Sequence, residues 1–286
     1  MDLKVIMVPF GGNEWETGAL RTALELAKAH NAHVECWHVA PNPYDITTAF
    51  YSGQGLVPAY PEDVVSEVEK FGDITRDKAL NEFSSIAAEM GVEPRDTQAP
   101  RNRASASFYY ETGDVGEILA ERSRMCDLII VSRATNEKNK FFKGIVDGIL
   151  LDSARPVLLI PGGKAVNFTH AKVMIAWNNS LESARAVGFS FPFLEHSKAW
   201  VWNEKETQDD TTDGHLLNYL RMHGAEAEDL FPEITTPESL LKSANAMGAS
   251  LIVMGAYEHN RIRETVLGGM TDFMLKNANI PLLMAH

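Results

Sequence analysis

The sequence predicts an α/β protein: two tandem open five-stranded parallel-sheet domains with flanking helices, related by a pseudo-two-fold. Three observations predict it. Short, continuous apolar runs rich in Val, Ile and Leu recur along the chain, as expected of strands buried on both faces of a parallel sheet. Helical patterns separate them, and strands alternating with helices give right-handed βαβ crossovers. The runs also repeat in order. Lys4-Val-Ile-Met-Val-Pro is echoed by Lys172-Val-Met-Ile-Ala-Trp, Asp127-Leu-Ile-Ile-Val-Ser by Ser250-Leu-Ile-Val-Met-Gly, and Arg155-Pro-Val-Leu-Leu-Ile by Ile280-Pro-Leu-Leu-Met-Ala.

The chain has 286 residues, which at about 100–200 residues per domain suits two domains. The turn-forming stretch Pro161-Gly162-Gly163-Lys164 divides them into 1–163 and 164–286. In the first copy a helix over 14–30 follows the first strand, with Leu20, Ala23, Leu24 and Ala27 on one stripe. The second strand falls at 33–39. A long helix over 63–90 ends in the apolar face Phe83, Ile86, Ala87 and Met90. The third strand falls at 105–110, and Asp114 with Glu117 has the spacing of a capping box opening a helix over 114–124. In the second copy the second and third strands fall at 199–202 and 226–231, and Thr236-Pro237-Glu238 opens a helix. The first copy alone holds an aromatic, Gly/Pro-rich stretch at 41–61, read as a surface loop or lid. The second holds an acidic stretch at 204–213. Pairing 156–160 antiparallel with 281–285 would close both fifth-strand edges and create the pseudo-two-fold.

Charge limits the partners. Lys+Arg number 26 against 39 Asp+Glu, a net charge of −13. That disfavours nucleic acid and anionic membranes, where affinity rests on cationic neutralisation of phosphate. A small anion needs only local donors. No apolar run reaches the roughly 20 residues of a membrane helix, and the first residues carry no signal-peptide features. Two isolated cysteines, Cys36 and Cys126, make neither a disulfide framework nor a metal site. The expectation is a cytoplasmic protein.

In an open parallel sheet the ligand crevice lies at the carboxyl ends of the strands, where strand order reverses. After the fourth strand of the second copy comes Gly255-Ala-Tyr-Glu258-His259-Asn-Arg261-Ile-Arg263-Glu-Thr-Val-Leu-Gly268-Gly269-Met-Thr271. Gly268-Gly269 opens a helix over 270–277. Adjacent glycines at a helix start expose backbone N–H groups at the positive end of the dipole, an anion site. Thr271 adds a hydroxyl, and Arg261 and Arg263 add positive charge.

This pattern, with the closing apolar strand, resembles the G-x2-G-x9-G-S/T motif of the universal stress protein family. The resemblance covers the whole chain as a tandem of two such domains. Trp177-Asn178-Asn179-Ser180-x-Glu182-x-Ala184-Arg185-Ala186 is similar to the bacterial tandem type. It implies an adenine-nucleotide-binding fold, often dimeric through the fifth strand, serving stress survival rather than a fixed metabolic step. Residue by residue, the family's acidic position near ribose and metal falls at Asn178, and at Gly11 in the first copy. The motif glycines fall at Gly255, Glu258 and Gly268, and the hydroxyl position at Gly269. The adenine-side valine falls at Trp202, and at Val39 in the first copy. The implied nucleotide-binding set is Asn178, Ser180, Trp202, Met254, Gly255, His259, Arg261, Gly268, Gly269, Met270 and Thr271, taking ATP or AMP. With the carboxylate lost, no metal is expected. The first copy is more eroded: Ser132 and Lys143 stand at glycine positions, its loop is two residues shorter, and only Gly144 survives; a Lys143 side chain would crowd the phosphate path, although its ammonium could bind an anion.

Competing motifs fail. Gly163-Lys164 lacks the upstream glycine and following Ser/Thr of a Walker A loop. Gly53-Gln-Gly55 follows no strand. Gly11-Gly12-Asn13 lacks the serines and aspartate of a pyrophosphatase loop. No Ser-His-Asp set converges. The histidines lack metal spacing. His259, in the phosphate loop, reads first as a loop-stabilising hydrogen bond. Trp177 and Trp202 read first as core packing, and second as rings at an adenine pocket. The leading expectation is a non-enzymatic stress protein that senses nucleotide through its second copy, with a homodimer compatible with the sequence. The alternative is a scaffold or small-ligand carrier with a lapsed site, using the 41–61 loop. Slow ATP hydrolysis would have only Glu258 as a base.

Overall fold

In the computed structural model, residues 2–45, 48, 62–95, 102–133, 140–203, 211–257 and 269–286 are described. The strands are β1 (Val5–Pro9), β2 (His33–Ala40), β3 (Ser105–Thr112), β4 (Leu128–Arg133), β5 (Val157–Pro161), β6 (Lys172–Trp177), β7 (Lys198–Asn203), β8 (Glu226–Leu230), β9 (Leu251–Gly255) and β10 (Leu282–Ala285). The helices are α1 (Thr17–His30), α2 (Glu62–Glu89), α3 (Val115–Ser123), α4 (Lys140–Asp152), α5 (Leu181–Phe189), α6 (Phe191–Leu194), α7 (Thr211–Met222), α8 (Pro237–Ala246) and α9 (Met270–Asn277).

All ten strands form one sheet in the order β3-β2-β1-β4-β5-β10-β9-β6-β7-β8. Pairing is parallel within each set of five. It is antiparallel only at the seam, where Leu159, Leu158 and Val157 face Leu282, Leu283 and Met284. The expected pairing of the two fifth strands is therefore present, and the edge through which the resemblance implies dimerisation is used up inside one chain. The continuous apolar runs are buried throughout: β4 through Ser132, and β10 along its whole length.

Helices cover both faces. One apolar layer takes α1, α2, α5, α6 and α7, and the other takes α3, α4, α8 and α9. Each layer runs across the seam, so α4 supplies Val146, Ile149 and Leu150 to the same cluster as Met274 and Leu275 of α9. The linker is docked rather than free. A Cβ on Gly18 of α1 would lie 2.7 Å from the Lys164 carbonyl oxygen and 2.8 Å from that of Gly162. Val166 N–H also donates to Thr22 Oγ1 at 3.0 Å.

One local start differs from expectation. The first-copy helix breaks into a 3-10 turn at Glu14–Glu16 before α1. At α3, Asp114 Oδ1 accepts the Glu117 N–H at 2.8 Å, giving the cap. Thr236 caps α8 with Pro237 in its first turn, as the sequence predicts. Both cysteines are buried. Burial pushes Cys126 up to about 12 and Cys36 well above the usual thiol value, so neither is a ready nucleophile.

Candidate functional site

Strand order reverses between β1 and β4 in the first half and between β6 and β9 in the second. The carboxyl ends of those strands are the places to look for a ligand. In the second half two helix starts flank that point, and they differ. At α5 the cap is supplied from within the loop. Ser180 Oγ accepts the Ser183 N–H at 3.1 Å, and Ser180 N–H donates to Ser183 Oγ at 3.1 Å and to Asn178 Oδ1 at 3.2 Å. Asn179 sits in the left-handed region at φ 59°, closing this turn. So Ser180 is a helix cap, and the Asn178 side chain serves the loop it stands in.

Among the described residues, the α9 start carries no side-chain cap. Gly269 precedes it in extended backbone, and among the described residues nothing lies within 4 Å of where its Cβ would be. The helix begins at Met270, as the twin glycines predict. Thr271 is 8% exposed and its hydroxyl accepts the Tyr257 N–H at 3.4 Å. Gly255 ends β9 against the start of α5. A Cβ there would meet the Ser183 nitrogen at 2.7 Å and the Glu182 Cβ at 2.8 Å. Its absent side chain serves close helix–strand packing.

Other residues of the implied set lie elsewhere. Trp202 is 1% exposed, packed in the layer that holds Met254, Leu240 and Trp200. Its ring is therefore core. The reading of Trp202 as a stacking surface for a base is corrected, because a large apolar ring filling this space gains more from burial than a solvated one. Met254 is likewise buried, leaving only backbone to a ligand. His259, Arg261, Gly268 and Glu258 lie outside the described residues, as do most of the 41–61 loop and 204–210.

Several residues take roles near the site that the sequence did not assign to them. Glu182 is 4% exposed against Gly255, although acidic first-turn residues usually face water. Tyr257 holds φ 54°, and its hydroxyl crosses the seam to donate to Asp147 Oδ1 at 2.5 Å. Lys143 lies 2.6 Å from Asp147 Oδ2 and 3.2 Å from Asp272 Oδ1, with its ammonium over the Tyr257 ring at 5.8 Å. Asp272 Oδ1 is buried and takes no well-angled hydrogen bond, so the ammonium meets it as a charge. Burial pulls the Lys143 pKa down, but the two carboxylates outweigh it and the net shift is upward. Burial and the Asp147 contact push Tyr257 up, keeping the phenol protonated.

In the first half the amides of the loop after β1, the counterpart of the loop before α5, are occupied from within. Glu16 Oε2 accepts from Gly11 N–H at 2.9 Å, Asn13 N–H at 2.9 Å and Asn13 Nδ2 at 3.1 Å. Ser132 Oγ, at the Gly255 position, accepts the Ala19 N–H at 3.1 Å. Lys143, whose ammonium the sequence offered as an anion donor, is matched by its two aspartates. Among the described residues, no group of His, Cys, Asp or Glu is set to hold a metal ion, and no helix is long and apolar enough to cross a membrane.

The chain is similar in structure to a universal stress protein from Archaeoglobus fulgidus DSM 4304 at TM-score 0.71 and 15% identity, over 98% of this chain and 95% of that one. It is also similar to a functionally unknown protein from Pseudomonas aeruginosa PAO1 at TM-score 0.61 and 14% identity, over 99% and 92%. No family model and no curated protein matches the sequence. The chain has the universal stress protein fold along its whole length.

Proposed function

We propose that this chain is a cytoplasmic stress-response protein of the universal stress type that binds an adenine nucleotide, ATP or AMP, through its second half and turns over no fixed substrate. One observation carries the reading. Of the two helix starts at the second switch point, α5 is capped by Ser180, which takes the Ser183 N–H, while α9, behind Gly269, has no side-chain cap among the described residues. An uncapped helix start beside strand ends is suited to phosphate, through bare N–H groups and the dipole. The fold supports the placement. The first half is unsuited, because Glu16 already sits on the amides of its first loop. With Asn178 where the family has a carboxylate, the nucleotide binds without a resident metal.

The test is calorimetric and thermal-shift titration of the whole chain with ATP, AMP and tripolyphosphate. The informative variant is Gly269→Asp. Aspartate is a favourable helix cap, and nothing described crowds its Cβ, so the fold is kept while a negative charge covers the anion site. Binding by the wild type and at least tenfold weaker binding by the variant, with undiminished melting temperature, is the expected outcome. No shift at millimolar ATP in the wild type would favour instead a scaffold or carrier acting through the 41–61 loop.

A further inference from the structure

We infer that the second half's anion site is completed by the first half: Lys143 and Asp147 act across the seam as positioning residues, through Asp272 and Tyr257. The inference rests on the nucleotide reading above and adds to it.

The geometry has three parts. Tyr257 follows β9 in a left-handed backbone conformation that an aromatic residue rarely adopts. Its hydroxyl is held by Asp147 of α4 at 2.5 Å. Its N–H, in turn, donates to Thr271 in the first turn of α9. The strand exit and the helix start, the two walls of the site, are thus tied together by a residue anchored in the other half.

The second part is charge. Asp272 also lies in the first turn of α9 and is 5% exposed. Alone, its carboxylate would oppose an arriving phosphate and would be a costly unpaired buried charge. Lys143 supplies the counter-charge at 3.2 Å while bonding Asp147 at 2.6 Å.

The third part is the repeat itself. Asp147 stands three residues after Gly144, and Asp272 three after Gly269, so the two aspartates hold the same place in the two copies. Lys143 stands where Gly268 stands. The lysine that stands at the first copy's glycine position therefore neutralises the acidic residue in the first turn of α9. Arg133, on β4, adds a further link by donating to the Leu275 carbonyl at 3.4 Å near the end of α9.

The experiment compares ATP affinity of the full-length wild type with Lys143→Met, Asp272→Asn and the Lys143→Met/Asp272→Asn double variant, after circular dichroism has confirmed folding. Lys143→Met is expected to weaken ATP by tenfold or more. The double variant is expected to recover most of that loss, since removing the carboxylate removes the need for the lysine; melting temperatures of all three variants without ATP are read beside the affinities, and an affinity loss that only tracks lost stability counts against the positioning role. Tyr257→Phe, which keeps the ring and removes only the hydroxyl, is expected to weaken ATP about threefold or more, and is the second measurement should Lys143→Met not fold. Wild-type binding with equal binding by Lys143→Met, or no rescue in the double variant, overturns this inference and leaves the nucleotide reading standing. No binding by the wild type overturns both.

Discussion

Glu16 shows how one residue decides what a half of the molecule can receive. Its carboxylate takes three N–H donors in the loop after β1, the place where an external anion would compete. Burial raises its pKa from the ordinary 4.5, and does so against the lowering effect of those bonds and of Lys78. The native carboxyl therefore holds its proton to higher pH than the unfolded chain does. Between the unfolded and folded values the native state carries the additional proton, so stability is full below that window and falls as pH rises through it, by at most about 1.4 kcal/mol per pH unit. Glu16→Gln removes this titration and keeps an acceptor oxygen. The expected result, from urea unfolding at a series of pH values, is that the wild type loses stability relative to Glu16→Gln as pH rises from roughly 4 toward neutrality. A difference that stays constant, or widens in the wild type's favour, counts against the assignment.

At the scale of elements, the joint between β9 and α5 leaves no room for a side chain at Gly255. Gly255→Ala sets a Cβ 2.7 Å from the Ser183 nitrogen, where backbone has to move. The expected cost is about 1–3 kcal/mol, read from the urea midpoint. Gly269→Ala, with open space around it, is expected to cost less than about 1 kcal/mol. Equal losses at the two positions would remove the packing account of Gly255. These elements also show what the sequence makes legible. The buried strands, the start of α9 and the antiparallel seam could be read directly. A strand covered on both faces must be apolar at every position, and twin glycines leave a strong mark at a helix start. Trp202 was equally visible but ambiguous, since an aromatic at a strand end suits a core or a ligand alike. The partners that Glu182, Lys143 and Tyr257 meet were not readable. Their roles depend on which surfaces meet after folding, and Tyr257 reaches a partner 110 residues away. The one trace was arithmetical: Asp147 and Asp272 fall at the same offset in the two copies.

Across the whole molecule, the two sets of five strands behave as one sheet because β5 and β10 pair and because both apolar layers pass over that line. The remaining sheet edges are β3 and β8. Any homodimer built by strand addition would use one of those, and the β3 edge is already partly occupied by Pro94 bridging to Ala106. The seam has a further consequence for how the gene product could be cut. Since cohesion between the halves resides in strand pairing and shared apolar layers, the covalent tether is dispensable for keeping them together. Two polypeptides corresponding to 1–163 and 164–286, co-expressed with a tag on only one, should co-purify in equal amounts as a reconstituted heterodimer, whereas Leu158→Asp, opposite Leu283, should abolish their recovery as a pair. If the untagged fragment is lost even without that change, the linker docked on Gly18 is holding the molecule together instead, and such a protein would be a poor choice for a split reporter.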